Sequence, residues 1–160
     1  MSKVIQYIDE NKKKIYPKVK NDYILVNLNQ RQYVASDSRT KVNFNTVLDY
    51  HGNGLELYNG GVKIGKGISK IRVDLTLWLE AYSGYSAWFL YKNTNTQLTY
   101  NLFPELSTER EWRTGNSFAY VDVDEGDIIY AYVRFNVADS SNNVAGHYQN
   151  SCLMGVQVIG

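Results

Sequence analysis

With 160 residues and 17 Lys+Arg against 16 Asp+Glu, the chain carries a formal charge of +1 and no overall field to draw in a polyanion, so nucleic acid is not an expected partner. A single cysteine excludes an internal disulfide, and one Cys with two His falls short of the usual nitrogen and sulfur ligands of a structural zinc site, so neither a metal nor a cofactor is expected. The 14 Tyr, beside 3 Trp, 5 Phe and only 2 Pro, fit a β-rich protein whose amphipathic rings cover sheets and interfaces.

The length suits one domain with a short appendage. The chain opens Met1-Ser2-Lys3 and reaches the charged Asp9, Glu10 and Lys12 before any long apolar run, so no secretory signal is expected. No stretch approaches the roughly 20 apolar residues that cross a bilayer, so no membrane insertion is expected either. Val4, Ile5, Tyr7 and Ile8, then Ile15 and Tyr16, flank a polar turn and read as a small hairpin ending at Pro17, or alternatively as a short amphipathic helix. Such a hairpin is marginal by itself and needs something to dock on. Residues 1–32 are therefore read as an attachment segment and residues 33–160 as the head domain. Lys12, Lys13, Lys14, Lys18 and Lys20 read as a solvated basic turn rather than a binding patch.

From residue 33 onward, short strands alternate with clusters of Gly, Asn, Asp and Ser. A strand over 42–48 leads to the turn His51-Gly52-Asn53-Gly54, a strand over 55–58 to Asn59-Gly60-Gly61, and a strand over 62–64 to Gly65-Lys66-Gly67. The organising element covers 71–80. There Ile71, Val73, Leu75, Leu77 and Leu79 take one face, and Arg72, Asp74, Thr76, Trp78 and Glu80 the other, the period of two that a half-buried strand imposes. One large aromatic, Trp78, among polar residues marks the second face as a drier contact surface.

Residues 87–92 are apolar on both faces and read as a central strand. Residues 98–114 form the least regular stretch, with Pro104 in its middle. The clearest hairpin spans 118–135 around the turn Asp124-Glu125-Gly126-Asp127, with Ala119, Val121 and Val123 facing inward opposite Ile129, Ala131, Val133 and Phe135. A polar loop through 139–143 precedes a final strand over 152–159. Strands at this spacing predict an all-β sandwich or jelly roll.

Candidate chemistry is sparse. His51 and His147 stand in no nucleophile or metallopeptidase motif, and no poised pair of acids accompanies them, so no enzymatic activity is expected. Asp122, Asp124, Glu125 and Asp127 invite a calcium reading, but Gly126 falls at the wrong place for a helix-loop-helix calcium loop, and a plain acidic turn fixed by Asp127 is preferred. Tyr82 and Tyr85 in an aromatic loop, with Trp112 and Arg113, have the composition of a glycan or protein contact surface, and equally of lids on sheet ends. Cys152, in an apolar alternating strand, reads as a small core residue.

Several of these pieces together resemble a known family. The run Lys41-Val42-Asn43-Phe44-Asn45, the long alternating strand, Trp88-Phe89-Leu90-Tyr91, the stretch through Glu125-Gly126-Asp127-Ile128-Ile129-Tyr130 and the closing Gly155-Val156-Gln157-Val158 are similar to the globular head of complement component q, in the tumour-necrosis-factor-like jelly-roll superfamily. Unlike the animal proteins, this chain has no Gly-X-Y stalk, signal peptide or disulfide. The opening, with Ile15-Tyr16-Pro17-Lys18 after a charged turn, resembles structural proteins of tails and baseplates of phages that infect Gram-positive bacteria.

The two resemblances imply a homotrimeric jelly-roll head, assembled in the host cytoplasm and carried on the virion. Residues 1–32 would join other tail or baseplate proteins. They also imply a threefold axis at the outward face of the long strand's sheet, with Thr76, Trp78, Phe118 and Tyr120 at or near it. Two functions follow as expectations: attachment to a host cell-surface glycan or protein, with Tyr82, Tyr85, Trp112 and Arg113 as the candidate ligand residues, or a structural trimerisation and spacer module with no ligand.

Overall fold

The computed structural model describes residues 7–8, 14–15, 21–35, 37–81, 84–106, 111–136, 144–145 and 151–160. Among them lie fifteen β-strands and no helix. Two antiparallel sheets pack face to face. The seven-stranded sheet contains β3 (Tyr23–Leu28), β4 (Gln32–Tyr33), β6 (Thr46–His51), β9 (Lys70–Ala81), β12 (Glu111–Asp122), β14 (Val144–Ala145) and β15 (Cys152–Val158). The six-stranded sheet contains β5 (Thr40–Lys41), β7 (Leu55–Tyr58), β8 (Gly61–Ile64), β10 (Gly84–Lys92), β11 (Thr96–Leu106) and β13 (Ile128–Asn136). The remaining two strands, β1 (Tyr7–Ile8) and β2 (Lys14–Ile15), pair with each other as the hairpin reading of that segment expects.

The alternation in β9 is realised in full. Ile71, Val73, Leu75, Leu77 and Leu79 are all buried in the core, and full burial of such a side chain stabilises by roughly 1.5–3 kcal/mol. β12 runs along one side of β9 from Asp122 opposite Lys70 to Glu111 opposite Ala81. The other side is shared: β15 pairs with Ile71 through Thr76, and β14 with Leu79 and Glu80. At the changeover the Trp78 backbone N–H donates to the Cys152 sulfur at 3.4 Å and the thiol donates to the Trp78 carbonyl at 3.6 Å. Cys152 is thus a core residue that also satisfies the backbone where one neighbouring strand gives way to the next.

Across the core stand Trp88 and Leu90 of β10, Val62 and Ile64 of β8, and Ile129, Ala131, Val133 and Phe135 of β13. The Trp88 indole donates to the Asn116 carbonyl at 3.2 Å, and a Cβ at Gly115 would lie 2.9 Å from its ring. Glycine there is what lets the indole lie against the β12 backbone. β7 and β8 form a two-residue hairpin with Tyr58 opposite Gly61 and positive φ at both Asn59 and Gly60, the turn whose twist suits paired strands.

Four sequence readings are corrected. The stretch 118–135 is not a hairpin: β12 pairs with β9, and β13 pairs with β10, β5 and β8, so the turn at 124–127 carries the chain from one sheet to the other. The inward-facing residues named for it do face the core, because alternation specifies a face and not a pairing partner. The stretch 98–114, read as irregular, holds most of β11 and the start of β12. Pro104 is tolerated because β11 is an edge strand among the described residues, with a register shift between Ser86 and Gly84 of its partner β10.

The strand read over 42–48 instead occupies 46–51, with Val42 and Phe44 buried ahead of it. Finally, β3 lies between β15 and β6, so the sandwich begins at Tyr23 and not at residue 33. By sequence its apolar residues fit the attachment segment equally well, because nothing local distinguishes a docked strand from a core strand. The loop over 139–143, His147 and Tyr82 lie outside the described residues.

Candidate functional site

A sandwich has two outward faces, and here they differ in how their aromatic residues are covered. On the seven-stranded sheet, the outward residues of β9 are Arg72, Asp74, Thr76, Trp78 and Glu80. Opposite them on the edge strand β12 stand Tyr120, Phe118, Asn116, Thr114 and Trp112 in that order. Trp78 and Trp112 meet edge to face, with centroids 5.8 Å apart and planes at 90°. Thr76 and Asn116 share a hydrogen bond of 2.9 Å. Glu80 is fully buried even though it belongs to this face.

Below that aromatic pair the surface opens. Phe118 is 66% exposed and Tyr120 60% exposed. Tyr33, opposite Val144 and so in line with Glu80, adds another ring at 65% exposure. The half-buried Leu153 opposite Thr76, and Leu25 opposite Gly155, extend the apolar character across β15 and β3. Arg72 and Asp74 form an ion pair of 2.8 Å beside it. Exposed aromatics of this kind next to an edge strand set this face apart from an ordinary solvated surface.

The outward face of the six-stranded sheet covers its own aromatics. Ala87, Phe89 and Tyr91 of β10 and Tyr130 of β13 form a second apolar cluster, separate from the core, flanked by Tyr85, Ile128 and Tyr132. Ring contacts run Tyr100 to Phe89 at 5.3 Å, Phe89 to Tyr91 at 6.3 Å and Tyr91 to Tyr132 at 5.2 Å. Cations lie over the rings: the Arg39 guanidinium is 4.5 Å from the Tyr91 centroid and 5.3 Å from that of Tyr132, and Lys41 Nζ is 5.2 Å from that of Tyr130. Arg39 donates to the Tyr91 hydroxyl, which donates to Gln97 Oε1 at 2.8 Å. Burial pushes the Tyr132 phenol upward, and the nearby Arg39 charge opposes it.

The sequence-derived residues therefore separate. Thr76, Trp78, Phe118 and Tyr120 share one face. Trp112 joins them through Trp78, whereas Arg113, one residue on, points the other way with its guanidinium 5.5 Å over the Phe103 ring. Tyr85 belongs to the opposite sheet's outer cluster. Sequence reading missed Arg39, Gln97, Tyr100, Tyr130, Tyr132 and Arg134. The available signal is a period of two in aromatics, Phe89 with Tyr91 and Tyr130 with Tyr132, on strands whose other face, with Trp88, Leu90, Ala131 and Val133, already fills the core.

The acidic turn is tied together by its own side chains. Asp127 Oδ2 accepts from the Asp124 N–H at 3.0 Å and pairs with Lys92 Nζ at 3.5 Å, while Oδ1 accepts from Asn93 Nδ2 at 2.9 Å. Burial acts to raise the Asp127 carboxyl, but the Asp124 N–H, the Asn93 amide and Lys92 outweigh it and hold the group below the usual carboxylate range. Among the described residues no three His, Cys, Asp or Glu side chains gather as metal ligands.

Comparison with known proteins adds the architecture's relatives. No known family pattern and no characterised protein matches the sequence itself. Solved structures do match. Murine APRIL at pH 8.0 superposes with a TM-score of 0.69 at 12% identity, covering 88% of this chain and 100% of that one. Eiger TNF from S. frugiperda superposes with a TM-score of 0.60 at 14% identity, covering 87% and 91% respectively. The fold is a jelly roll of the tumour-necrosis-factor type. At such identities the likeness speaks for the fold alone, so what this jelly roll does has to be argued from its surfaces.

Proposed function

We propose that this chain is a non-enzymatic, homotrimeric jelly-roll head of a phage tail or baseplate, similar to the complement-q head, that attaches the virion to a host cell-surface glycan or protein. The observation that carries self-association is the outward face of the seven-stranded sheet, where Phe118, Tyr120 and Tyr33 lie exposed beside the paired Trp78 and Trp112. A partner copy seated there removes those rings from water. The virion assignment rests on the likeness of residues 1–32 to the openings of tail and baseplate structural proteins. In this reading the segment joins other virion proteins, and assembly takes place in the host cytoplasm.

Trp112 lies on the association face through its contact with Trp78, which favours a role in the trimer over a role in ligand capture. That contact also supports the second reading, a structural trimerisation and spacer module. Two measurements separate the readings. Sedimentation of the full chain at micromolar concentration is expected to give a trimer mass, and a monomer mass overturns the assembly. Saturable binding to a Gram-positive wall preparation is expected for the attachment head, and a trimer that binds no such preparation leaves the spacer.

A further inference from the structure

Beside the aromatic cluster on the six-stranded sheet runs a groove of about 360 Å³ lined by Asp37, Arg39, Phe89, Tyr91, Gln97 and Arg134. That volume falls at the small end of ligand sites, roughly 300–1,000 Å³. Its polar groups come from three places in the chain and are already fixed. Arg39 lies over Tyr91 and Tyr132 and donates to the Tyr91 hydroxyl, which is in turn anchored on Gln97. Arg134 meets Asp37 through one terminal nitrogen at 3.4 Å, while its buried Nε has no partner among the described residues.

Two guanidinium groups against one carboxylate leave the groove with a net positive charge. Each guanidinium carries five N–H donors in a planar fork that matches carboxylate or phosphate oxygens. Next to Phe89, the Tyr100 ring is 55% exposed and provides a flat apolar face at the groove's side. Flat ring, paired guanidinium forks and a side-chain amide together suit a sugar that bears an acidic substituent. A purely apolar ligand would leave the forks unsatisfied, and a simple anion would make no use of the ring.

We infer that this groove binds an anionic saccharide, its carboxylate or phosphate held by Arg39 and Arg134 and a sugar ring stacked on Tyr100. The inference deepens the attachment reading by naming the ligand class, and it moves the site from the aromatic loop to the sheet face that a trimer built on the opposite face leaves free.

The test is a titration of the isotopically labelled full chain, followed by NMR, with trigalacturonate, with a glycerol-phosphate oligomer and with neutral maltotriose. At least one of the two acidic probes is expected to shift the Arg39 and Arg134 side-chain signals and the β10 and β13 amides, and to bind at least tenfold more tightly than maltotriose. Which acidic probe does so identifies carboxylate or phosphate as the recognised group. Arg39→Gln and Arg134→Gln are each expected to weaken binding at least tenfold. Tyr100→Ala, at a position 55% exposed, should weaken it several-fold with the melting temperature checked alongside.

Absence of shifts with both acidic probes, or unchanged affinity in the two arginine variants with the melting temperature preserved, overturns the inference. Wall binding by the arginine variants equal to that of the native chain overturns the groove as the attachment site and leaves the attachment reading standing. Saccharide binding in the groove by a chain that ignores the wall preparation does the reverse.

Discussion

The two outward faces of this sandwich bear similar numbers of rings and treat them in opposite ways. On the six-stranded sheet, Phe89, Tyr91 and Tyr130 are buried by one another, by Tyr132 and by Arg39 and Lys41, so these rings are covered within one chain, while Tyr100 at the edge stays exposed. On the seven-stranded sheet, Phe118 and Tyr120 stand out from an edge strand, 66% and 60% exposed. The difference lies in the neighbours: β10 and β13 are adjacent strands that both carry aromatics outward, whereas β9 offers Phe118 and Tyr120 only Asp74 and Arg72. Rings with ring neighbours become a small core; rings whose cross-strand neighbours are charged stay exposed, as the proposed association face requires.

Substitutions break the comparison from opposite ends. Tyr91→Ala removes a ring from the self-covered face, together with its links to Arg39 and Gln97. It is expected to destabilise the single chain by about 3–5 kcal/mol, in line with large aromatic truncations at buried sites. Denaturant unfolding reads this directly, and the subunit count should not change. A loss below 1 kcal/mol would mean that the outer cluster is decoration on a fold held by the core alone.

Phe118→Asp tests the other face and should give the converse result. Unfolding of the single chain should be nearly unaffected, since the ring is exposed there. The proposed trimer should lose about 2 kcal/mol or more per subunit contact and dissociate in sedimentation at micromolar concentration. A variant that remains trimeric places the contact elsewhere, whereas one that unfolds as a monomer assigns Phe118 to the fold itself.

Asp127→Asn sharpens the comparison from outside both faces, at the turn that joins the two sheets. Losing the charge that meets Lys92 and the Asp124 N–H is expected to cost about 1–2 kcal/mol at neutral pH. Because the folded-state pKa is depressed, this stabilisation is complete above the unfolded value of about 3.9 and fades as pH falls through the folded one. The native chain should therefore lose stability on acidification below about pH 4 more steeply than Asp127→Asn, with both faces unaltered. Parallel acid curves for the two proteins would remove Asp127 as the titrating group.

Much of one chain's layout was legible before its structure, and the legible part has a common cause. In β9 the period of two is a local property of an extended backbone, so the sequence by itself determined which side of the strand each residue takes, from Ile71 to Glu80. The same holds for the inward set in β13, and for the turn at Asn59 and Gly60, where left-handed backbone angles select the residue types. Pairing is not local. Only the tertiary structure decided that β12 joins β9 instead of folding back on β13, and that β3 belongs to the sandwich, because several partners satisfy the same alternating pattern equally well. The groove was beyond reach for the same reason: Arg39 and Tyr91 are 52 positions apart, and it is the β5–β13–β10 pairing, assembled over the whole domain, that lays the guanidinium on the ring.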